Sequence, residues 1–95
     1  MKLGLEGKSI MVAAASRGLG NGIARAVAGD GARVSIAAPT EPKVHEAAAA
    51  LREETGAEVI SSPFDARDPE SIQAWRDRTV EAFGTVDGLV VNAGG

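Results

Sequence analysis

The sequence contains no cysteine and no tyrosine, has one histidine, and draws only 3% of its residues from the aromatics. Without cysteine, disulfides and thiolate metal sites are excluded outright, a composition that suits a reducing cytoplasm. The lone His45 has no imidazole partners with which to hold a metal and is expected as a solvated side chain, so no metal site is assigned. Positive charge is short as well. Lys and Arg number 10 against 13 Asp and Glu, and the net charge of -3 offers no electrostatic footprint for nucleic acid or for an anionic membrane surface. A long apolar run is missing too. The stretch "SIMVAAAS" behind Lys2 and Lys8 imitates a secretion signal, but its apolar part is about six residues where roughly seven to fifteen are needed. Glu6 also interrupts the approach to it. The triplet Gly7-Lys8-Ser9 imitates the end of an ATP-binding loop, yet Lys2 stands where that loop needs its first glycine. The triplet reads as a turn entering a strand.

What is present is globular: 95 residues, 44% hydrophobic, with 12 glycines. A chain this short forms one domain, or part of one, and buries about 60 to 65% of its unfolded surface. One pattern repeats along it. Ser9 to Ala14 is a short continuous apolar run, as in a strand covered on both faces. A glycine loop follows, then a helix from Leu19 to Ala28 with Leu19, Ile23 and Val27 on one face, stopped by Gly29 and Gly31. Arg33 to Ala38 is a second strand, ended by Pro39. Thr40 is placed to cap the next helix, with Glu41 and Pro42 in its first turn, an apolar stripe of Val44, Ala47, Ala48 and Leu51, and a stop at Gly56. The third strand is Glu58 to Phe64. Asp68 caps a third helix with Pro69 at its first position, Ile72, Trp75, Thr79 and Phe83 facing inward, and Gly84 at its end. Val86 to Val91 is the fourth strand.

Alternating strands and helices specify an α/β fold with a parallel sheet, joined by right-handed crossovers, with the expected strand order 3-2-1-4. Ligands of such sheets lie beyond the carboxyl ends of the strands, where the order reverses between the first strand and the fourth. The distinctive residues gather there: the glycine loop after strand one, Pro39 after strand two, Asp65 after strand three and "NAGG" after strand four. A glycine loop at a helix N-terminus offers backbone N–H groups and the positive end of the helix dipole to a pyrophosphate.

The chain resembles the short-chain dehydrogenase/reductase family across essentially all of its length. The family's fingerprint after strand one is T-G-x-x-x-G-x-G. Here "AAASRGLG" supplies Gly18 and Gly20 as the second and third glycines, with Ala13 and Ala14 replacing Thr and the first Gly. Asp65, in "FDARD", falls where the family places the aspartate that meets the adenine ring, with Ala66 beside it. "VNAG", Val91 to Gly94, matches the family's N-N-A-G with its first Asn replaced by Val. The resemblance implies the N-terminal part of a single Rossmann-like dinucleotide-binding domain over residues 1–95. It also implies cofactor contacts from Ala14, Ser16, Arg17, Gly18, Leu19, Gly20, Pro39, Asp65, Ala66, Asn92, Ala93 and Gly94. It favours NADP(H) over NAD(H), because Arg17 matches the basic residue that members preferring the phosphorylated cofactor often carry. The end of strand two, at Ala38 and Pro39, supplies neither the acidic nor the basic signal. Ala14 in place of glycine is expected to weaken binding without abolishing it.

The family's proton-transfer pair, Tyr-x-x-x-Lys, is expected well beyond residue 95, so no residue here is assigned a catalytic role. The reading is therefore the cofactor-binding part of a longer, cytoplasmic oxidoreductase. Such an enzyme would be homo-oligomeric and act on a small-molecule alcohol or carbonyl. A non-catalytic nucleotide-binding or interaction module is the alternative. A methyltransferase is weaker, since it would want a different glycine pattern and an acidic end to strand two. Trp75 is expected in the core, and Asp68 as a helix cap rather than an acid–base partner of Asp65.

Overall fold

The computed structural model describes residues 4–13 and 18–91, with Leu19 described by its backbone. Strands β1 (Ser9–Ala13), β2 (Arg33–Ala38), β3 (Val59–Pro63) and β4 (Gly88–Val91) alternate with helices α1 (Gly18–Gly29), α2 (Glu41–Thr55) and α3 (Pro69–Phe83). All pairings are parallel and the strand order is β3-β2-β1-β4. This is the doubly wound arrangement that the alternating pattern specifies.

Register decides which side chains meet. Ile10, Val12, Val34, Ile36, Ala38 and Val59 pack with Ala24, Val27 and Ala28 of α1 and with Val44, Ala47, Ala48 and Leu51 of α2. Met11, Ala13 and Ala37 point the other way, against Trp75 of α3, with Phe64 and Val86 at the margin. Helices on both faces explain why β1 and β2 read as unbroken apolar runs rather than as alternating ones.

The helix ends follow their local chemistry. Gly56 and Gly84 close α2 and α3 in the left-handed conformation, and each donates its N–H back into the helix. Asp68 caps α3 by accepting from the Glu70 N–H. Thr40 holds the corresponding position on α2, but its side chain makes no cap hydrogen bond. Gly29, expected as a stop, is the last residue of α1, and the turn comes at Gly31 with φ of 94°. A Cβ there would sit 3.2 Å from Glu6 Cγ, so glycine answers both the backbone angle and the close approach.

Some boundaries move inward. β4 begins at Gly88 rather than Val86, although Asp87 already meets β1, donating its N–H to the Ser9 carbonyl and accepting the Ser9 N–H on its carboxylate. The β3 ladder covers Val59–Pro63, although Glu58 and Phe64 continue bonding to β2 through their backbones. Ile72 is a correction: it is 40% exposed instead of facing inward. It lies on the flank of α3, and among the described residues that helix alone covers its face of the sheet.

Candidate functional site

The site grows from the carboxyl ends of β2 and β3. Phe64 donates its N–H to the Ala38 carbonyl, which carries the pairing one residue past the strands. Its ring lies 5.0 Å from that of Trp75 at 59°, a tilted aromatic pair that ties the site to the core. The chain then turns tightly. The Asp68 N–H donates to the Asp65 carbonyl at 3.0 Å, and the Asp65 N–H donates to Ser71 Oγ at 2.9 Å. The result is an open recess of about 640 Å³ lined by Pro39, Pro63, Phe64, Asp65, Ala66, Arg67, Asp68 and Ser71.

Three of the sequence-predicted residues, Pro39, Asp65 and Ala66, meet in this recess although two strands contribute them. The recess has proline, phenylalanine and alanine walls and four polar side chains: Arg67, Asp68, Ser71 and the Asp65 carboxylate. That carboxylate is not bare. Its Oδ1 accepts from Arg67 N and Nε at 2.9 and 3.1 Å, and Oδ2 accepts from Arg67 Nη2 at 3.3 Å. These bonds from the Arg67 side chain and backbone hold the Asp65 carboxyl below the usual carboxylate range.

Gly18 opens α1 with φ of 66°, and a Cβ added to it would meet nothing within 4 Å. Gly20 is buried in the first turn. The first turn of α1 carries no acidic residue, whereas those of α2 and α3 carry Glu41 and Glu70. The first turn of α1 thus sets no carboxylate of its own against an anion at that terminus, where N–H groups lack intrahelical partners. Ala14, Ser16, Arg17, Asn92, Ala93, Gly94 and the side chain of Leu19 lie outside the described residues.

Arg67, Phe64 and Ser71 were missed as site residues. Arg67 had a signal: an aspartate readily hydrogen-bonds the backbone two residues on, and Asp65-Ala66-Arg67 has that spacing. Phe64 and Ser71 had none, because their roles come from contacts between the loop and α3: the Phe64 ring meets Trp75, and Ser71 of α3 accepts from the Asp65 N–H. His45 is exposed as expected, and its Nδ1 lies 2.6 Å from Ser61 Oγ. Trp75 is in the core, only 2% exposed.

The sequence profile described as "short chain dehydrogenase" matches residues 8–95. The chain belongs to this family. The family member L-rhamnose 1-dehydrogenase (NAD(P)(+)) of Sphingomonas sp. (strain SKA58) is 38% identical over 94 residues, covering 99% of this chain and 37% of the relative. The 7alpha-hydroxysteroid dehydrogenase of Clostridium sardiniense is 36% identical over 91 residues, covering 96% of this chain and 34% of the relative. The crystal structure of L-sorbose reductase from Gluconobacter frateurii, complexed with NADPH and L-sorbose, superposes with a TM-score of 0.94 at 35% identity. That likeness covers 100% of this chain and 36% of the reductase. The chain thus spans little more than a third of the length of these relatives. Among the described residues, no helix is long and apolar enough to cross a membrane.

Proposed function

We propose that these residues form the cofactor-binding part of an NAD(P)(H)-dependent short-chain oxidoreductase, which passes a hydride between a nicotinamide ring and a small-molecule alcohol or carbonyl. The observation that carries the reading is the recess at the ends of β2 and β3. Two carboxylates line it: Asp68 is engaged as the α3 cap, while Asp65, whose Oδ2 has a single donor, stands beside apolar walls and offers the acceptor that a flat base with an amino edge requires. The first turn of α1, with no acidic residue of its own and free space around Gly18, supports a diphosphate at that helix terminus.

In this reading Asp65 accepts from the adenine amino group, with Ala66 and Pro39 bordering the adenosine. Gly18, Leu19 and Gly20, with Ala14, Ser16 and Arg17, hold the phosphates, and Asn92, Ala93 and Gly94 form the floor. The cofactor supplies the hydride chemistry when bound, and these residues bind and orient it. With no tyrosine among them, the proton-transfer step is assigned to none of them. The relative named for NAD(P)(+) and the reductase crystallised with NADPH support the cofactor class. A cytoplasmic location, in keeping with the cysteine-free composition, and assembly as a homo-oligomer complete the proposal.

NADP(H) is the favoured form. No carboxylate stands at the end of β2, where Ala38 is buried and Pro39 follows, and Arg17 offers a guanidinium to the 2′-phosphate. Calorimetric titration with NADPH and NADH tests this. Arg17→Ala should weaken NADPH binding about tenfold or more, the magnitude of a charge-assisted hydrogen bond, and leave NADH nearly untouched. Equal losses for the two cofactors would overturn the preference.

A further inference from the structure

Arg67 grips the carboxylate of the recess from two directions. Its backbone N–H and Nε both reach Asp65 Oδ1, while Nη2 reaches Oδ2. This exposed arrangement orients the Asp65 carboxylate, and the Asp65 N–H is held by its hydrogen bond to Ser71. Oδ1 already has two donors. Oδ2 has one and retains capacity for another. The other charged group described in the recess, Asp68, has its Oδ1 engaged by the Glu70 N–H.

We infer that Arg67 sets the base specificity of the recess, orienting the Asp65 carboxylate as an acceptor-only edge that takes a purine with an exocyclic amino group and rejects one with a carbonyl there. The inference rests on the reading of the recess as an adenosine site. An amino group at the purine 6-position donates to Oδ2. A 6-oxo group sets one acceptor against another, an unpaired arrangement that discriminates by repulsion. Protonation of Asp65 would relax this selection by supplying a donor. The Arg67 side chain opposes it, holding the carboxyl below its ordinary range, with the backbone bond adding to the effect. Arg67 contacts no reacting atom in this scheme and acts through Asp65 as a positioning residue.

The test titrates the full chain with NADPH and with its hypoxanthine analogue, which carries oxygen in place of the amino group, down through the acid range. The unaltered chain should prefer the adenine form by about tenfold, the magnitude of one hydrogen bond to a charged group. Arg67→Ala should bring that preference toward parity and shift the acid limb of NADPH affinity to higher pH. Arg67→Lys should restore the acid limb through its charge but not the preference, since an ammonium lacks the planar fork. A loss common to both nucleotides, with ratio and acid limb unmoved, overturns the inference. Tighter adenine binding in Arg67→Ala overturns it too, because Arg67 would then be competing with the base. An unaltered chain that binds neither dinucleotide overturns the adenosine-site reading itself, a failure visible before any substitution is made.

Discussion

The two faces of the sheet are held by different physics. Toward α1 and α2, the strands present Ile10, Val12, Val34, Ile36, Ala38 and Val59, and two helices seal them with aliphatic side chains. Toward α3, the same strands present Ser9, Ser35 and Ser62, which with Thr79 are the buried polar residues among those described. Here, among the described residues, one helix covers what two cover opposite. It does so by inserting Trp75, whose indole N–H donates to Ser35 Oγ at 2.9 Å, while Ser35 and Thr79 hydroxyls meet at 2.7 Å. Arg78 reaches Ser62 Oγ at 2.7 Å on the β3 side. The first face depends on volume and apolar area, the second on particular hydrogen bonds. The recess belongs to the second face, because Phe64 packs at a tilt against Trp75.

The contrast breaks first on the aliphatic side. Leu51 is fully buried between α2 and the sheet, and Leu51→Ala should cost about 2 to 5 kcal/mol by leaving a cavity. Urea denaturation measures this. A loss within the range of a surface substitution would show that this face is looser than its burial implies.

On the other face, Ser35→Ala strands the Trp75 N–H without an acceptor and should cost about 1 to 3 kcal/mol for a change of one oxygen. Ser9 supplies the control. Its hydroxyl is buried and finds no partner among the described residues, so Ser9→Ala should change stability by less than about 0.5 kcal/mol or increase it. If both serines respond alike to urea, the hydrogen bonds are not what holds this face.

Coverage differs as well. Beyond α3, Leu89 and Val91 of β4 are 56% and 63% exposed, on the edge strand of the sheet that the described residues form. An apolar edge of this kind is a template for association. Sedimentation velocity should show Leu89→Lys reducing self-association while urea stability moves by no more than about 0.5 kcal/mol. Association undiminished by the lysine would clear this edge.

The smallest effect is expected at the rim, from pH. The folded state lowers the Asp65 pKa, chiefly through the Arg67 side-chain hydrogen bond. The resulting stabilisation is fully present above the unfolded carboxylate value of about 3.9 and is lost as pH falls through the lowered folded value. Arg67→Ala should flatten this acid loss slightly, since the pair is exposed and screened by salt. Acid titration of thermal stability with and without added salt measures it. An acid limb identical in the two proteins would mean that the pair contributes nothing to the fold.

Much of this architecture was legible along the chain. Gly56, Gly84, Asp68 and Pro69 mark helix ends through interactions that span a few residues, and the apolar runs marked β1 and β2 as buried strands. The positions of Pro39, Asp65 and Ala66 after their strands were legible for the same reason. Ile72 was not. Its spacing matches the inward stripe of α3, but no second helix among the described residues covers that flank. Thr40 was half legible: its place at the start of α2 was foreseeable, whereas the idle hydroxyl reflects a side-chain orientation that spacing does not encode.

Local chemistry therefore specified the elements, their ends and their order, because capping, turn preference and hydrophobic period act over a turn or two of chain. Folding in three dimensions decided the partners. Trp75 and Ser35 are 40 residues apart, and Arg33 reaches across 50 residues to the Phe83 carbonyl, capping a helix that has no basic residue in its own last turn. Such pairs depend on register and on helix rotation. A shift of one residue in β2 would turn Ser35 to the aliphatic face and Ile36 onto α3, so no local signal could have announced them.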